Sequence, residues 1–197
     1  MGGWARLAPP STSRPWPQRL SGAPSLDAAA LDSVWRLVTP NKALGLTGVR
    51  AAYAIAPRDA NAELLARVRL LAPSWPLGAH GVALLQAWAR DEVHDWLLAC
   101  RDSLRLWKAR QMALLTGIGW QVQPSDANFF VASPPTPTSA TSGFDLQTRL
   151  ATWRAAGVKL RDCASFGLPG RVRMAVVAPE VQDALVSALL TKAKEAA

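Results

Sequence analysis

Cysteine is scarce in this sequence. The two present, Cys100 and Cys163, are too few for a disulfide framework, and with His80 and His94 they form no zinc-binding pattern. A reducing, cytoplasmic setting is the expectation. Long apolar runs are also missing. The most apolar stretch, residues 64–89, is interrupted by Arg67, Arg69, Pro73, Ser74, Pro76 and His80, so it offers no run of about 20 apolar residues to span a bilayer as a helix. Acid is absent ahead of Asp27, where the chain is instead rich in Pro, Ser, Gly and Arg. Pro9, Pro10, Pro15 and Pro17 break any helix there, no secretory apolar core appears, and residues 1–30 are expected to be an irregular segment. Internal repeats are absent too. Neither Gly117-Ile-Gly119 nor Gly45-Leu-Thr-Gly48 has the spacing of a dinucleotide fingerprint or a P-loop, which excludes those nucleotide-binding motifs.

What is present describes a globular protein. Half the residues are hydrophobic and 18% are charged, which suits one good core or two small ones. The net charge of +8 would suit nucleic acid, an anionic membrane surface or phosphorylated metabolites. Its distribution separates these. Arg36, Arg50, Arg67, Arg90, Arg110, Arg149 and Arg171 are scattered among apolar residues, as on solvated helix faces, so neither nucleic acid nor membrane is the expected partner.

Short apolar runs at 34–38 and 49–56, separated by Pro40 and by a loop holding Gly45 and Gly48, read as strand, loop, strand. Asn61 is placed to cap a helix running to about Leu71, and a second helical stretch follows Pro76 through Val82, Leu85, Gln86 and Trp88. The clearest helix runs from about Asp91 to Leu115, with Val93, Trp96, Leu97, Cys100, Leu104, Trp107 and Leu115 on one face and Gly117 as terminator. Strand-like runs follow at 120–122 and 129–132, then a Pro/Thr/Ser loop at 134–143 and a helix ending near Gly157. Residues 171–177 read as a strand, and Pro179 and Glu180 open a last helix carrying Val181, Leu185 and Leu189 with a basic end at Lys192 and Lys194. Helices alternating with short strands make the class α/β or α+β.

The chemistry concentrates in residues 39–53, Thr-Pro-Asn-Lys-Ala-Leu-Gly-Leu-Thr-Gly-Val-Arg-Ala-Ala-Tyr. Lys42 and Arg50 lie eight residues apart across a glycine-bearing loop. A phosphorylated aldehyde needs an amine for a Schiff base, and a guanidinium fork with a hydroxyl to hold its phosphate; Lys42, Arg50 and Thr39 supply those groups. A solvated lysine beside a surface arginine has the same spacing, so spacing alone does not decide.

This segment resembles the lysine signature of class I/II aminotransferases, Ser-x-Ser-Lys-x-x-Gly-Leu-x-Gly-x-Arg-x-Gly-Tyr, with Lys42, Gly45, Gly48, Arg50 and Tyr53 in register. It departs from the signature at Thr39, which keeps the hydroxyl, at Asn41 and at Ala52. A second segment, Arg161-Asp-Cys-Ala-Ser-Phe-Gly-Leu-Pro-Gly-Arg-Val-Arg173-Met-Ala-Val, is similar to the family's substrate-carboxylate segment, with Arg173 in the arginine position. Between them, Pro124-Ser-Asp-Ala-Asn128-Phe-Phe130 looks like the Ser-x-Ala-Asn-Phe stretch of histidinol-phosphate aminotransferases and threonine-phosphate decarboxylases.

The resemblance implies a fold-type I arrangement. Residues 31–90 would form the tail of the large domain, with the Schiff-base lysine, and residues 91–197 the α+β C-terminal small domain. It implies pyridoxal 5'-phosphate as cofactor, anchored by Lys42, which would also serve as base, with its phosphate on Arg50 and Thr39. Arg173 would clamp a substrate carboxylate, while Asn128 and Arg161 would touch substrate or its phosphate. The substrate would be a small amino acid or amino-acid phosphate, in amino-acid or cobalamin biosynthesis, and the family's homodimer is the expected assembly. Tyr53 is expected in the core rather than in the site, and Cys163 is expected to be a bystander. The family's phosphate loop, its ring-stacking aromatic and the Asp that pairs with the pyridine nitrogen all precede the lysine and have no counterpart here. The expectation is therefore a C-terminal portion of the family. The alternative is a catalytically incompetent remnant that serves as a folded or interaction module and exposes apolar surface that the large domain would cover.

Overall fold

The computed structural model describes residues 26–135 and 145–195, the side chains of 28 and 191–195 excepted. The loop expected at 134–143 and the first 25 residues therefore lie largely outside the described residues, as do the side chains of Lys192 and Lys194. Two compact units are present; of the described residues, those up to Cys100 form one and those from Arg101 the other.

The first unit opens with α1 (Ala28–Asp32), whose first turn is capped by Asp27 accepting from the Ala30 N–H at 2.7 Å. Five residues are too few for a periodic signal, and no helix is expected there from the sequence. Strands β1 (Arg36–Val38) and β2 (Tyr53–Ile55) then pair antiparallel, with Val38 opposite Tyr53. They bring together the two ends of the loop that carries Lys42.

Helix α2 (Ala62–Leu70) starts where expected, because the Asn61 side chain accepts from the Leu64 N–H at 2.7 Å. None of its residues is buried, and Leu70, Leu71 and Trp75 are among the most exposed apolar side chains. Helix α3 (Ala79–Trp88) does the packing instead: Leu84 and Leu85 enclose Ala51, with Leu44, Val49, Tyr53 and Leu77 around them. Tyr53 is a half-buried member of this cluster, and its hydroxyl accepts from the Trp88 indole N–H at 3.2 Å. Burial pushes the Tyr53 phenol up from its ordinary value.

Helix α4 (Asp91–Gly117) runs through the boundary between the units. The face expected from the sequence holds at Leu97 and Leu115, which are buried, but Trp96 is exposed. Two polar residues, Lys108 and Gln111, join the buried set instead.

The second unit is built on a four-stranded antiparallel sheet of order β3-β4-β6-β5, comprising β3 (Gln121–Val122), β4 (Phe129–Ser133), β5 (Arg161–Asp162) and β6 (Val172–Ala175). Its alternation sorts the side chains by face. Phe130, Ala132, Val172 and Met174 point inward and pack with Leu115 and Trp120, with Leu146 and Trp153 of α5 (Leu146–Ala155), and with Leu189 of α6 (Pro179–Glu195). Each large side chain buried here contributes roughly 1.5–3 kcal/mol. Phe129, Arg161, Arg173 and Ala175 fall on the opposite, exposed face. Val181, expected on the apolar face of α6, is half exposed.

Buried amides stitch the helices to the end of β6. The Gln111 amide donates to the Ala175 carbonyl at 3.0 Å and accepts from the Val177 N–H at 3.0 Å. Gln182 donates to the carbonyls of Trp107 at 2.9 Å and Val177 at 2.8 Å. These side chains take over where the ladder stops, so the backbone beyond β6 is satisfied without a further strand.

Candidate active site

The six residues singled out from the sequence fall into two groups, one in each unit. In the first unit, Thr39 follows β1 directly, and the loop then closes on itself. The Leu44 N–H donates to the Pro40 carbonyl at 3.1 Å, Leu46 to Asn41 at 2.8 Å, Gly45 to Lys42 at 3.3 Å and Val49 to Leu46 at 3.0 Å. Gly45 sits at φ +69°, the left-handed region that glycine enters at little cost. Pro40 and Asn41 are buried and Leu44 and Val49 turn toward the core, while Thr39, Lys42 and Arg50 remain exposed.

Helix α3 supports the far end of this loop through Gly81. A Cβ there would lie 3.3 Å from the Arg50 carbonyl oxygen and 3.4 Å from the Ala51 Cβ, tight enough that the loop would have to give by a few tenths of an ångström. Gly81 is not among the residues singled out from the sequence; a glycine inside a helical run is the kind of signal that marks such a contact.

Among the described residues, no hydrogen bond or ion pair engages the side chains of Thr39, Lys42 or Arg50. The space where Cβ atoms would stand at Gly45 and Gly48 is open. An amine, a guanidinium and a hydroxyl thus share one loop with room beside them, a donor set that fits a phosphorylated aldehyde.

The second group lies on the exposed face of the second unit's sheet. Arg161 and Arg173 are register partners on β5 and β6, so their side chains rise side by side. Among the described residues neither has a carboxylate within ion-pair distance. Each meets aromatic rings instead: Arg173 stands 5.0 Å from the Phe129 centroid and 5.8 Å from that of Phe166, and Arg161 lies 5.5 Å from Phe166. Asn128 precedes Phe129, with its side chain exposed and its carbonyl accepting from the Val176 N–H at 3.0 Å.

The approach to Asn128 is held by a residue that carries no signal in the sequence. The buried Lys108 ammonium of α4 donates to the carbonyls of Ser125 and, at 2.9 Å, of Ala127. Burial lowers the pKa of Lys108, while Asp126 acts to raise it. No sequence pattern marks a lysine whose partners are backbone carbonyls of a distant loop. Cys163 is buried beside Arg161, Arg171 and Arg173; burial, and Asp162 with it, pushes the thiol up, and the three arginines act the other way.

Residues 17–189 match the family described as aminotransferase class I and II. The chain belongs to that family. Among curated relatives, histidinol-phosphate aminotransferase from Halobacterium salinarum is 30% identical over 168 residues, covering 79% of this chain and 37% of its own length. The chain therefore spans under half of that relative. Among solved structures, a decarboxylase from Sulfurospirillum multivorans superposes with a TM-score of 0.65 at 22% identity, over 80% of this chain and 43% of that one. The histidinol-phosphate aminotransferase from Clostridium acetobutylicum does so with a TM-score of 0.64 at 18% identity, over 82% and 46%. The fold is that of the fold-type I transferases of this family, whose members depend on pyridoxal phosphate. Among the described residues, no helix is long and apolar enough to cross a membrane, and no group of three or more His, Cys, Asp or Glu is placed to hold a metal ion.

Proposed function

We propose that this class I and II aminotransferase chain carries the cofactor-anchoring and substrate-binding residues of an enzyme acting on a small amino acid or amino-acid phosphate. Lys42 is the catalytic residue, Arg50 and Thr39 bind the cofactor phosphate, and Arg173, Arg161 and Asn128 bind substrate. Residues 31–90 are the tail of the large domain and residues 91–197 the small domain. The observation that carries the reading is the loop at 39–50, which presents amine, guanidinium and hydroxyl unengaged among the described residues while Leu44 and Val49 pack inward.

Pyridoxal phosphate, when bound, supplies an aldehyde for the lysine and a conjugated ring that takes up electron density from the substrate Cα. The Lys42 amine anchors the cofactor and carries the proton removed from that Cα. The Arg50 fork and the Thr39 hydroxyl hold phosphate oxygens through charge-assisted hydrogen bonds. Arg173 grips the substrate carboxylate with two parallel N–H donors, which fixes the Cα bond presented for reaction and so selects between transamination and decarboxylation. Arg161 adds a second positive fork, suited to a phosphorylated substrate. The histidinol-phosphate type of substrate is favoured by the relatives at 30% identity, and a cytoplasmic setting by the cysteine usage.

The test is an absorbance titration of the purified chain with pyridoxal phosphate, followed by borohydride reduction and peptide mapping, beside Lys42→Ala. Label on Lys42 that disappears in the control supports the reading; scattered or absent label overturns it. A second reading, a non-catalytic folded or interaction module, draws on the exposed α2 and on the share of the relatives covered. It predicts folding without any rise in melting temperature on adding cofactor.

A further inference from the structure

We propose that Phe166, with Phe129, is a positioning residue that holds the Arg161 and Arg173 guanidiniums together as one anion-binding pair; this rests on the reading of Arg173 as the substrate-anion residue.

The two arginines stand opposite each other on β5 and β6. Like charges so placed repel, and long arginine side chains left free would splay apart into solvent. The usual remedy, a carboxylate between them, is not found among the described residues. The nearest acid in sequence, Asp162, is occupied elsewhere: it accepts from the Ala164 N–H at 2.9 Å and from the Gln147 amide at 2.5 Å. Aromatic faces take its place. Phe166 is shared, 5.5 Å from the Arg161 guanidinium and 5.8 Å from that of Arg173, and Phe129 takes Arg173 from β4 at 5.0 Å.

The choice of ring over carboxylate has a chemical consequence. A guanidinium bound through its face to a phenyl ring keeps its N–H groups free, because they lie in the plane of the ion. A carboxylate would occupy those same N–H groups and cancel the charge. A phenyl ring accepts none of those N–H groups as a carboxylate would, so rings at these distances restrain both arginines and leave the forks available to an anionic ligand.

The backbone is arranged to deliver Phe166 there. It ends a single 3-10 turn (Ala164–Phe166), in which the Phe166 N–H donates to the Cys163 carbonyl at 2.9 Å. Gly167 at φ +73° then reverses the chain toward β6, and the Cys163 N–H donates to the Arg171 carbonyl at 3.0 Å. Phe166 is 53% exposed, so core burial does not account for a phenyl ring at this position.

The experiment titrates the full chain with inorganic phosphate, reading the Nε–H resonances of Arg161 and Arg173, for wild type, Phe166→Leu, Phe166→Tyr and Arg173→Gln. Leucine keeps apolar bulk and removes the ring; tyrosine keeps the ring. Two exposed contacts, each worth a factor of about two to five, predict phosphate binding weaker by at least about fourfold and by no more than about 25-fold in Phe166→Leu. Restoration to within about twofold in Phe166→Tyr is expected. If wild type binds no phosphate, or Arg173→Gln binds as wild type does, the substrate-anion reading fails and the proposal with it. If Arg173→Gln loses binding but Phe166→Leu does not, or Phe166→Tyr is as weak as Phe166→Leu, the positioning role is overturned and the anion reading stands. A collapse of the near-ultraviolet circular dichroism of the buried Trp120–Trp153 pair in Phe166→Leu would show a folding role instead, and likewise overturn the proposal.

Discussion

Replacing Lys108 by methionine isolates a buried charge whose partners are all backbone. The substitution keeps the length of the chain and removes the ammonium that donates to the Ser125 and Ala127 carbonyls. Two charge-assisted hydrogen bonds disappear, each worth about 1.5–3 kcal/mol. Against this, the desolvation that lowers the lysine pKa is relieved, and the half-buried residues at 125 and 127 can turn their carbonyls to water. The balance is a loss of about 2 kcal/mol, or roughly 8–16 °C in melting temperature for a unit of about 100 residues. Nine tryptophans blur fluorescence as a probe. The near-ultraviolet circular dichroism is weighted toward buried, ordered rings, here Trp120 and Trp153, tilted in the core with centroids 5.5 Å apart, together with Trp88 of the first unit. The sign with pH is a second readout. Burial sets the folded pKa below 10.5, so between the two values the unfolded chain holds more protons than the folded one. Wild-type stability relative to Lys108→Met should therefore rise as the pH approaches 10.5. A methionine variant as stable as wild type would refute the hydrogen-bond contribution, and a wild-type advantage that does not rise with pH would refute the lowered pKa.

Three further outcomes are expected. Asp145 caps α5, its carboxylate accepting from the Thr148 hydroxyl and from the N–H groups of Thr148 and Gln147, which hold its carboxyl below the usual 3.8. That stabilisation is present above 3.8 and is lost as the pH falls through the folded value, so urea midpoints of Asp145→Asn should depend less on acid than those of wild type. Gly45→Ala should cost about 1–2 kcal/mol through its left-handed backbone alone, since the space around it is open. Gly48→Ala, equally open but without positive φ, should cost far less, and chemical denaturation of the pair separates the two cases. Asn61→Ala removes a cap worth about 1 kcal/mol. Because α2 buries none of its residues, hydrogen exchange should show local fraying there while the melting of the rest of the chain barely moves.

Local rules made much of this chain legible from its sequence. Asn61, Gly117, Gly157 and Pro179 mark helix ends because capping and backbone freedom are properties of one residue and its immediate neighbours. The alternation in β4 and β6 distinguishes the buried face from the exposed one, and the lysine signature picks out the residues of the 39–50 loop by their order and spacing alone. Amphipathic period is a weaker guide: Trp96 and Val181 satisfy it yet stand exposed, since burial requires a partner surface as well as a pattern. What only the tertiary structure decided is where side chains meet across long separations. Arg161 and Arg173 became a pair through antiparallel register, Phe166 was placed by a single turn, Gly81 came to lie close against the Arg50 carbonyl, and Lys108 and Gln111 found their partners on segments remote in sequence. Each of these depends on distances that folding closes and that no residue's own chemistry encodes.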